Sequence, residues 1–279
     1  MITDLIVPVS GTAGDDRALD AAIELARVFD AHVTVLEGVH LPAPIVSPWG
    51  LSPVTGFEDV YRELRDKAQQ RAAQTRARLD AKGARYEVRV AESFLQPGAL
   101  AALHARYSDV CVVAGLRLTG DAMPHRRDVF NSVLMESGRP VLMIPVDMPL
   151  RAPAGRIVVA WKPRREATRA LHDAMPLLMK ADVVEVVVVN PDDGLDGEGE
   201  LPGADIATHL SRHGLTVQVT CVQRGSRTAA AALLRHCMET GAQLLVCGGY
   251  GHSRLREWAL GGVTRDLLES ANLPVLFSH

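Results

Sequence analysis

Short, continuous apolar runs alternate along this chain with longer segments of helical pattern. Val183–Val189 and Gln243–Cys247 are two of the runs, and such runs suit strands that are covered on both faces of a sheet. Tyr61–Lys82 and Thr228–Thr240 are two of the helical segments. This alternation predicts an α/β fold with open parallel sheets and right-handed crossovers.

The pattern occurs twice, with the same elements in the same order. The matching segments are Leu5–Leu19 with Ile157–Leu171, Val110–Gly115 with Leu244–Gly249, and Ser137–Pro145 with Ala271–His279. The first pair aligns without a gap. We therefore predict two tandem copies of one domain, residues 1–146 and 154–279, joined by a linker at residues 147–153 that lies in a segment rich in Pro and small residues.

Composition and charge narrow the class of protein. The chain has 279 residues, of which 47% are hydrophobic and 23% charged, as expected of a globular protein of two ordinary domains. The formal net charge of −3 gives no general electrostatic case for binding nucleic acid or acidic lipid. No apolar run reaches the roughly 18 residues that suggest a membrane span, and the N-terminus lacks the basic region of a signal peptide.

The cysteines favour a cytoplasmic protein. None of Cys111, Cys221, Cys237 and Cys247 forms a C-x-x-C pair, so zinc and dithiol redox sites have little support. Three of the four lie inside apolar segments, and buried, reduced thiols are the favoured interpretation.

Glycines cluster between an apolar run and a predicted helix near the C-terminus. Gly248 is followed after two residues by Gly251, and after nine more by Gly261 and Gly262. Glycines allow tight turns and close approach of a ligand, and a helix N-terminus binds anions. The stretch therefore predicts a phosphate site, to which Thr264 would add a hydroxyl and His252, Arg254 and Arg256 positive charge; glycines that only punctuate a loop are the alternative.

This stretch resembles the universal stress protein motif of Gly, two residues, Gly, nine residues, Gly, then Ser or Thr. The resemblance covers nearly the whole chain. It implies two tandem open parallel five-stranded sheets flanked by helices, a fold similar to that of the adenine nucleotide alpha hydrolases, and ATP or another adenine nucleotide as ligand, with Mg²⁺ as a candidate companion. Carried over to the second copy, it implies these binding residues: Ala160, Trp161, Lys162, Val188, Val189, Gly248, Gly251, His252, Gly261, Gly262, Val263 and Thr264.

Both copies depart from the family pattern. The residue after the first strand is usually an Asp that contacts the ribose, but it is Lys162 in the second copy and Ser10 in the first. Gly262 stands where the motif has a hydroxyl. In the first copy Gly115 is matched to Gly248, Leu118 takes the place of the next glycine, and Asp128 is expected near a helix start, where it would repel phosphate. We expect this copy to be free of ligand, with a structural or regulatory role.

A pair of histidines is the remaining candidate site. His209 and His213 are four residues apart and would share a helix face, which is compatible with a metal. No third ligand is evident nearby in the sequence, so a solvated helix face is the favoured interpretation and no metal site or catalytic residue is predicted.

Three functions remain open at this stage. The first is a tandem universal stress protein of the stress response that binds ATP through the second copy and signals through protein partners. The others are a slow ATP hydrolase and a dimerising scaffold without nucleotide. Walker-type motifs and paired carboxylates are missing from the sequence, so at most slow hydrolysis is expected. We also expect a homodimer of tandem chains, with no nucleic acid or membrane as partner.

Overall fold

The computed structural model describes residues 1–12, 14–42, 57–115, 122–146, 155–190, 202–250 and 262–279, without the side chains of Phe57, Ala122 and Met123. In these ranges the chain forms ten strands and eight helices. The strands are β1 (Asp4–Val9), β2 (His32–His40), β3 (Tyr86–Ser93), β4 (Val110–Ala114), β5 (Val141–Ile144), β6 (Arg156–Trp161), β7 (Val183–Val189), β8 (Val217–Val222), β9 (Leu244–Gly248) and β10 (Val275–Ser278). The helices are α1 (Asp15–Phe29), α2 (Phe57–Lys82), α3 (Pro97–Ala105), α4 (Ala122–Glu136), α5 (Arg165–Leu178), α6 (Ala204–Arg212), α7 (Ala229–Thr240) and α8 (Gly262–Ser270).

All ten strands belong to one sheet, in the order β3-β2-β1-β4-β5-β10-β9-β6-β7-β8. Within each half the five strands are parallel, as predicted. The halves meet at β5 and β10, which pair antiparallel with Leu142 opposite Leu276. The two five-stranded sheets of the sequence prediction are therefore fused edge to edge, and the order is the same when counted from either outer edge.

Helices cover both faces of the sheet, which explains the continuous apolar strands. One core cluster contains residues of α1, α2, α5 and α6, and the other contains residues of α3, α4, α7 and α8. The central strands β4, β5 and β10 are buried along their whole length. Burial on two sides requires apolar side chains at successive positions rather than at alternate ones.

Contacts of α4 with the second half reinforce the joint between the halves. Phe130 of α4 packs edge-on against Phe277 of β10, with ring centroids 5.3 Å apart. The Tyr250 hydroxyl donates a hydrogen bond to Asn131 of α4, and burial raises the pKa of this tyrosine to about 12.

Two further findings concern membrane-spanning helices and the cysteines. Among the described residues, no helix combines the length and apolarity needed to cross a bilayer. All four cysteines are free thiols; three are buried and Cys221 is exposed.

Candidate functional site

In each half of the sheet there is one point at which the strand order reverses. In the second half this point lies between β6 and β9, because β7 follows on the far side of β6. Ligands of open α/β sheets bind beyond the carboxyl ends of the strands at such a point. The segments that follow β6 and β9 therefore form the walls of the candidate site.

The segment after β6 is basic and leads directly into a helix. Lys162, Arg164 and Arg165 are exposed. Helix α5 begins at Arg165, and no side chain caps its first turn. These basic residues adjoin the positive end of a helix dipole, with Glu166 as an acidic neighbour 3.6 Å from Arg165, and the net positive charge favours an anion there.

The glycines at the end of β9 are required by packing. A Cβ on Gly248 would lie 2.7 Å from the carbonyl carbon of Glu166 and 2.8 Å from the nitrogen of Ala167, both in the first turn of α5. A Cβ on Gly249 would lie 2.8 Å from Leu134 of α4. Gly248 therefore lets the start of α5 approach the strand end, a role that the sequence did not indicate.

Helix α8 is tied to the same strand end. Thr264 is buried, and its Oγ1 accepts a hydrogen bond of 3.2 Å from the backbone N–H of Tyr250. Gly262, at the start of the helix, is exposed, and a Cβ there would meet nothing within 4 Å. The first turn of α8 is thus held beside the end of β9, while the side chain of Thr264 is engaged in holding it.

The described members of the predicted site come together at the carboxyl ends of the strands. Ala160 and Trp161 end β6, Val188 and Val189 end β7, and Trp161 pairs with Val188 in register. Lys162, Gly248, Gly262, Val263 and Thr264 lie at the adjoining strand and helix ends. Gly251, His252 and Gly261 lie outside the described residues.

Comparison with known proteins supports this architecture. The model of the universal stress protein family matches residues 154–279. A universal stress protein from Archaeoglobus fulgidus shares 18% identity with a TM-score of 0.72, and the match covers 99% of this chain and 97% of that one. A putative universal stress protein from Pseudomonas aeruginosa shares 15% identity with a TM-score of 0.57, covering 99% and 93% of the two chains. Among curated proteins, no sequence matches this chain.

Residues 154–279 belong to the universal stress protein family. The likeness to the two solved structures extends over the whole chain and shows that both halves have the universal stress protein fold. The first half therefore has a switch point of its own, between β1 and β4. It can be compared position by position with the β6–β9 switch point of the second half.

The structure corrects the alignment of the glycines between the halves. The N–H of Gly115 donates to Ile144 O at 2.7 Å, and the N–H of Gly249 donates to Ser278 O at 2.8 Å. Both glycines directly follow a strand that pairs in the same register. Gly115 thus corresponds to Gly249, and Ala114 occupies the place of Gly248.

The interpretation of Asp128 as a charge at a helix start is wrong. Helix α4 begins at Ala122, so Asp128 lies in its second turn. Its Oδ2 accepts a hydrogen bond of 2.7 Å from the N–H of Gly98, in the first turn of α3. Asp128 therefore caps a neighbouring helix and does not face the switch point as a free anion.

Arg126 occupies the switch point of the first half. Only 6% of this residue is exposed. Its guanidinium donates hydrogen bonds to Gly115 O at 3.2 Å and to Thr12 Oγ1 at 2.6 Å, and it lies 3.7 Å from Asp15 Oδ1. The sequence offered no signal for this role.

Asp15 occupies the place where an anionic ligand would meet the loop after β1. Its Oδ2 accepts 2.8 Å hydrogen bonds from the N–H groups of Ser10 and Gly11, and its Oδ1 accepts one of 3.0 Å from Ser10 Oγ. The chain's own carboxylate therefore satisfies the backbone donors of this loop. Arg126 supplies the countercharge beside it.

A buried carboxylate lies on the neighbouring strand of the first half. Glu37 of β2 pairs with Arg71 of α2 and is 2% exposed. Burial raises the pKa of Glu37, the pairing with Arg71 opposes that shift, and the nearby charge of Asp15 adds to it. The switch point of the first half is thus filled by ion pairs.

A small cavity remains beside these ion pairs. It has a volume of about 30 Å³ and is lined by residues that include Val9, Leu36, His40, His125 and Val129. This space accommodates about one or two water molecules. It is too small for a nucleotide base.

Proposed function

We propose that this chain is a tandem universal stress protein of the stress response that binds an adenine nucleotide, ATP in the first instance, at the β6–β9 switch point. The observation that carries the proposal is the meeting of a basic segment, two helix starts and a glycine-bounded strand end at that point. Each of these features favours an anion, and a triphosphate can engage all of them.

The residues divide into groups that would hold different parts of the nucleotide. Val188 and Val189, with Ala160 and Trp161 on the neighbouring strand, offer an apolar surface for the base. The glycine segment would hold the phosphates through backbone N–H groups: Gly248, Gly251, His252, Gly261, Gly262, Val263 and Thr264. Mg²⁺ would accompany the phosphates.

Lys162 shifts recognition from the ribose to the phosphates. At this position an ammonium group can donate hydrogen bonds but cannot accept them from ribose hydroxyls. It adds to the positive charge of Arg164 and Arg165 beside the start of α5. We therefore propose that affinity depends on the number of phosphates more than on the nucleoside.

The first half acts as the ligand-free partner in this proposal. Arg126 and Asp15 fill its switch point with an internal ion pair, and a ligand would have to displace both. Its role is then to complete the ten-stranded sheet. The same proposal includes domain limits near residues 146 and 154 and a cytoplasmic location suited to reduced thiols. It also includes signalling through protein partners and a dimer of chains.

A titration of the intact chain tests the proposal. ATP is expected to bind wild-type protein, and Gly251→Val is expected to abolish binding while the thermal unfolding midpoint stays unchanged. Gly138→Val is the control, because it makes the same substitution at an exposed turn of the other half. Equal ATP affinity of wild type and Gly251→Val would contradict the proposal.

Lys162→Ala separates phosphate contact from general charge. We expect weaker binding of ATP and unchanged binding of adenosine, because adenosine has no phosphate for the ammonium group to meet. Equal losses for both ligands would place Lys162 elsewhere in the site.

The alternative is a scaffold that binds no nucleotide. It is favoured by the joint between the halves, where β5, β10 and α4 already bury a large apolar surface within one chain. Absence of nucleotide from protein denatured after purification, together with no ATP binding, would support it. Phosphate release over time in the presence of Mg²⁺ would instead favour a slow hydrolase.

A further inference from the structure

Three histidines of the second half gather where α5 and α6 lie side by side. His172 belongs to α5, His209 to the last turn of α6, and His213 directly follows that helix. The ring centroids of His172 and His209 are 5.5 Å apart, and those of His209 and His213 are 4.8 Å apart. The sequence showed only the pair on α6; folding brings in His172 as the third imidazole.

The same three positions of the first half carry a set of ion pairs. Asp20 corresponds to His172 in the gapless alignment of α1 with α5. Arg78 and Lys82 correspond to His209 and His213, because the registers of β3 and β8 align Leu79 with Leu210. Arg78 Nη2 and Lys82 Nζ each donate to Asp20 at 3.0 Å. These positions therefore converge in the fold and join two helices.

In the second half this joint has lost its opposite charges. An imidazole in all three positions provides no anion, so the attraction between α1 and α2 has no counterpart between α5 and α6 here. In addition, His209 Nε2 is buried without a hydrogen-bond partner. A buried polar atom that lacks a partner is costly, and a cation that accepts electron pairs from the imidazoles would satisfy it.

The spacing of the rings suits a transition metal. A tetrahedral ion with Zn–N distances of about 2.0–2.1 Å holds the centroids of its imidazole ligands about 5 Å apart. The observed separations of 5.5 Å and 4.8 Å lie on either side of that value. Imidazole nitrogens are preferred ligands of Zn²⁺, Cu²⁺ and Ni²⁺.

We propose that His172, His209 and His213 bind one divalent transition-metal ion that joins α5 to α6. In the present side-chain conformation no group of three His, Cys, Asp or Glu residues within the described ranges is arranged to hold a metal. Binding therefore includes rotation of the imidazoles about their side-chain torsions, which is open to His172 and His213 because both are exposed. Their exposure leaves the fourth ligand position to water.

The proposed metal site is independent of the nucleotide site. His172 lies about two helical turns from the start of α5, which faces the switch point. Failure of nucleotide binding would leave the metal proposal untouched, and the converse also holds.

The test uses the full chain without an affinity tag and Zn²⁺ alone as the probe, in titration calorimetry after treatment with a chelator. Wild type is expected to bind one Zn²⁺ per chain at the cluster, with a rise in the thermal unfolding midpoint. His172→Ala should weaken binding by about tenfold or more, since even outer partners of metal ligands contribute that much. His104→Ala is the matched control, because it removes a histidine outside the cluster, and it should bind as wild type does.

A second variant keeps the helices joined. The triple substitution His172→Asp, His209→Arg and His213→Lys installs the ion pairs of the first half, so it is expected to fold and to lose the Zn²⁺ site. Equal Zn²⁺ binding by wild type and this variant would overturn the proposal. So would no binding by wild type, or a loss of affinity with His213→Ala but not with His172→Ala, which would leave only a pair of ligands.

Discussion

The two halves of this protein carry different chemistry at corresponding points of one fold. At the switch point of the first half, Asp15 and Glu37 are paired with Arg126 and Arg71. In the second half, Ala167 takes the place of Asp15 in the gapless alignment. Val188 takes the place of Glu37, because β2 and β7 pair in the same register with β1 and β6. The loop after β6 therefore has no counterpart of Asp15 at the corresponding position, although Arg165 lies 3.6 Å from Glu166 in the same turn.

The comparison teaches that an internal ion pair can take the place of a bound ligand. An ion pair that fills a crevice needs no ligand, whereas an apolar and basic crevice is stabilised by one. The contacts between helices differ in the same way. Oppositely charged side chains join α1 to α2 in the first half, whereas three histidines lie between α5 and α6 in the second.

The largest effect is expected from breaking the internal pair of the first half. Arg126→Met removes the countercharge of half-buried Asp15 and the hydrogen-bond donors to Gly115 O and Thr12 Oγ1, and should lower the free energy of unfolding by about 3 kcal/mol. Urea denaturation measures the loss. The double variant Asp15→Asn with Arg126→Met should recover part of it; a single variant as stable as wild type would show that the pair does not hold the switch point.

A smaller effect is expected from the glycine at the end of β9. Gly248→Ala places a Cβ 2.7–2.8 Å from the backbone of α5 and should lower the free energy of unfolding by about 1–3 kcal/mol through overpacking. Gly262→Ala is the matched control, with no atom within 4 Å of the added Cβ; it should change stability by no more than about 0.5 kcal/mol. Equal losses in the two variants would remove the packing role assigned to Gly248.

The smallest effect is expected in the pH dependence of stability. It comes from one buried glutamate on the second strand of each half, Glu37 of β2 and Glu185 of β7. For Glu185 of β7, burial raises the pKa but is outweighed by hydrogen bonds from Thr220, His236 and Arg156, so the pKa falls below its ordinary value of 4.5. For Glu37 the balance is reversed and the pKa is raised above 4.5.

These opposite shifts predict opposite slopes. The stabilisation from Glu185 is present above pH 4.5 and is lost as the pH falls through its lowered pKa. The contribution of Glu37 is present below pH 4.5 and is lost as the pH rises through its raised pKa. Denaturation of Glu185→Gln and Glu37→Gln at a series of pH values, each compared with wild type, checks the signs; the same slope for both variants would contradict the assignment.

The sequence was sufficient to predict the fold because continuous apolar runs and the internal repeat are local signals. The antiparallel pairing of β5 with β10, which joins the two sheets into one, is instead a long-range contact between the halves. The roles of Arg126 and Asp128 could not be predicted, since they depend on where α4 begins: a start at Ala122 places Asp128 against α3 and brings Arg126 to the switch point. His172 was missed because it meets His209 only after the helices pack.

The stoichiometry of ATP on the intact chain tests the difference between the halves most directly. Titration calorimetry to saturation should give one ATP per chain, and Lys162→Ala should weaken that binding while Ser10→Ala, the corresponding change in the first half, leaves it unchanged. Two ATP per chain, or a loss of binding with Ser10→Ala but not with Lys162→Ala, would contradict the assignment of the ligand site to the second half.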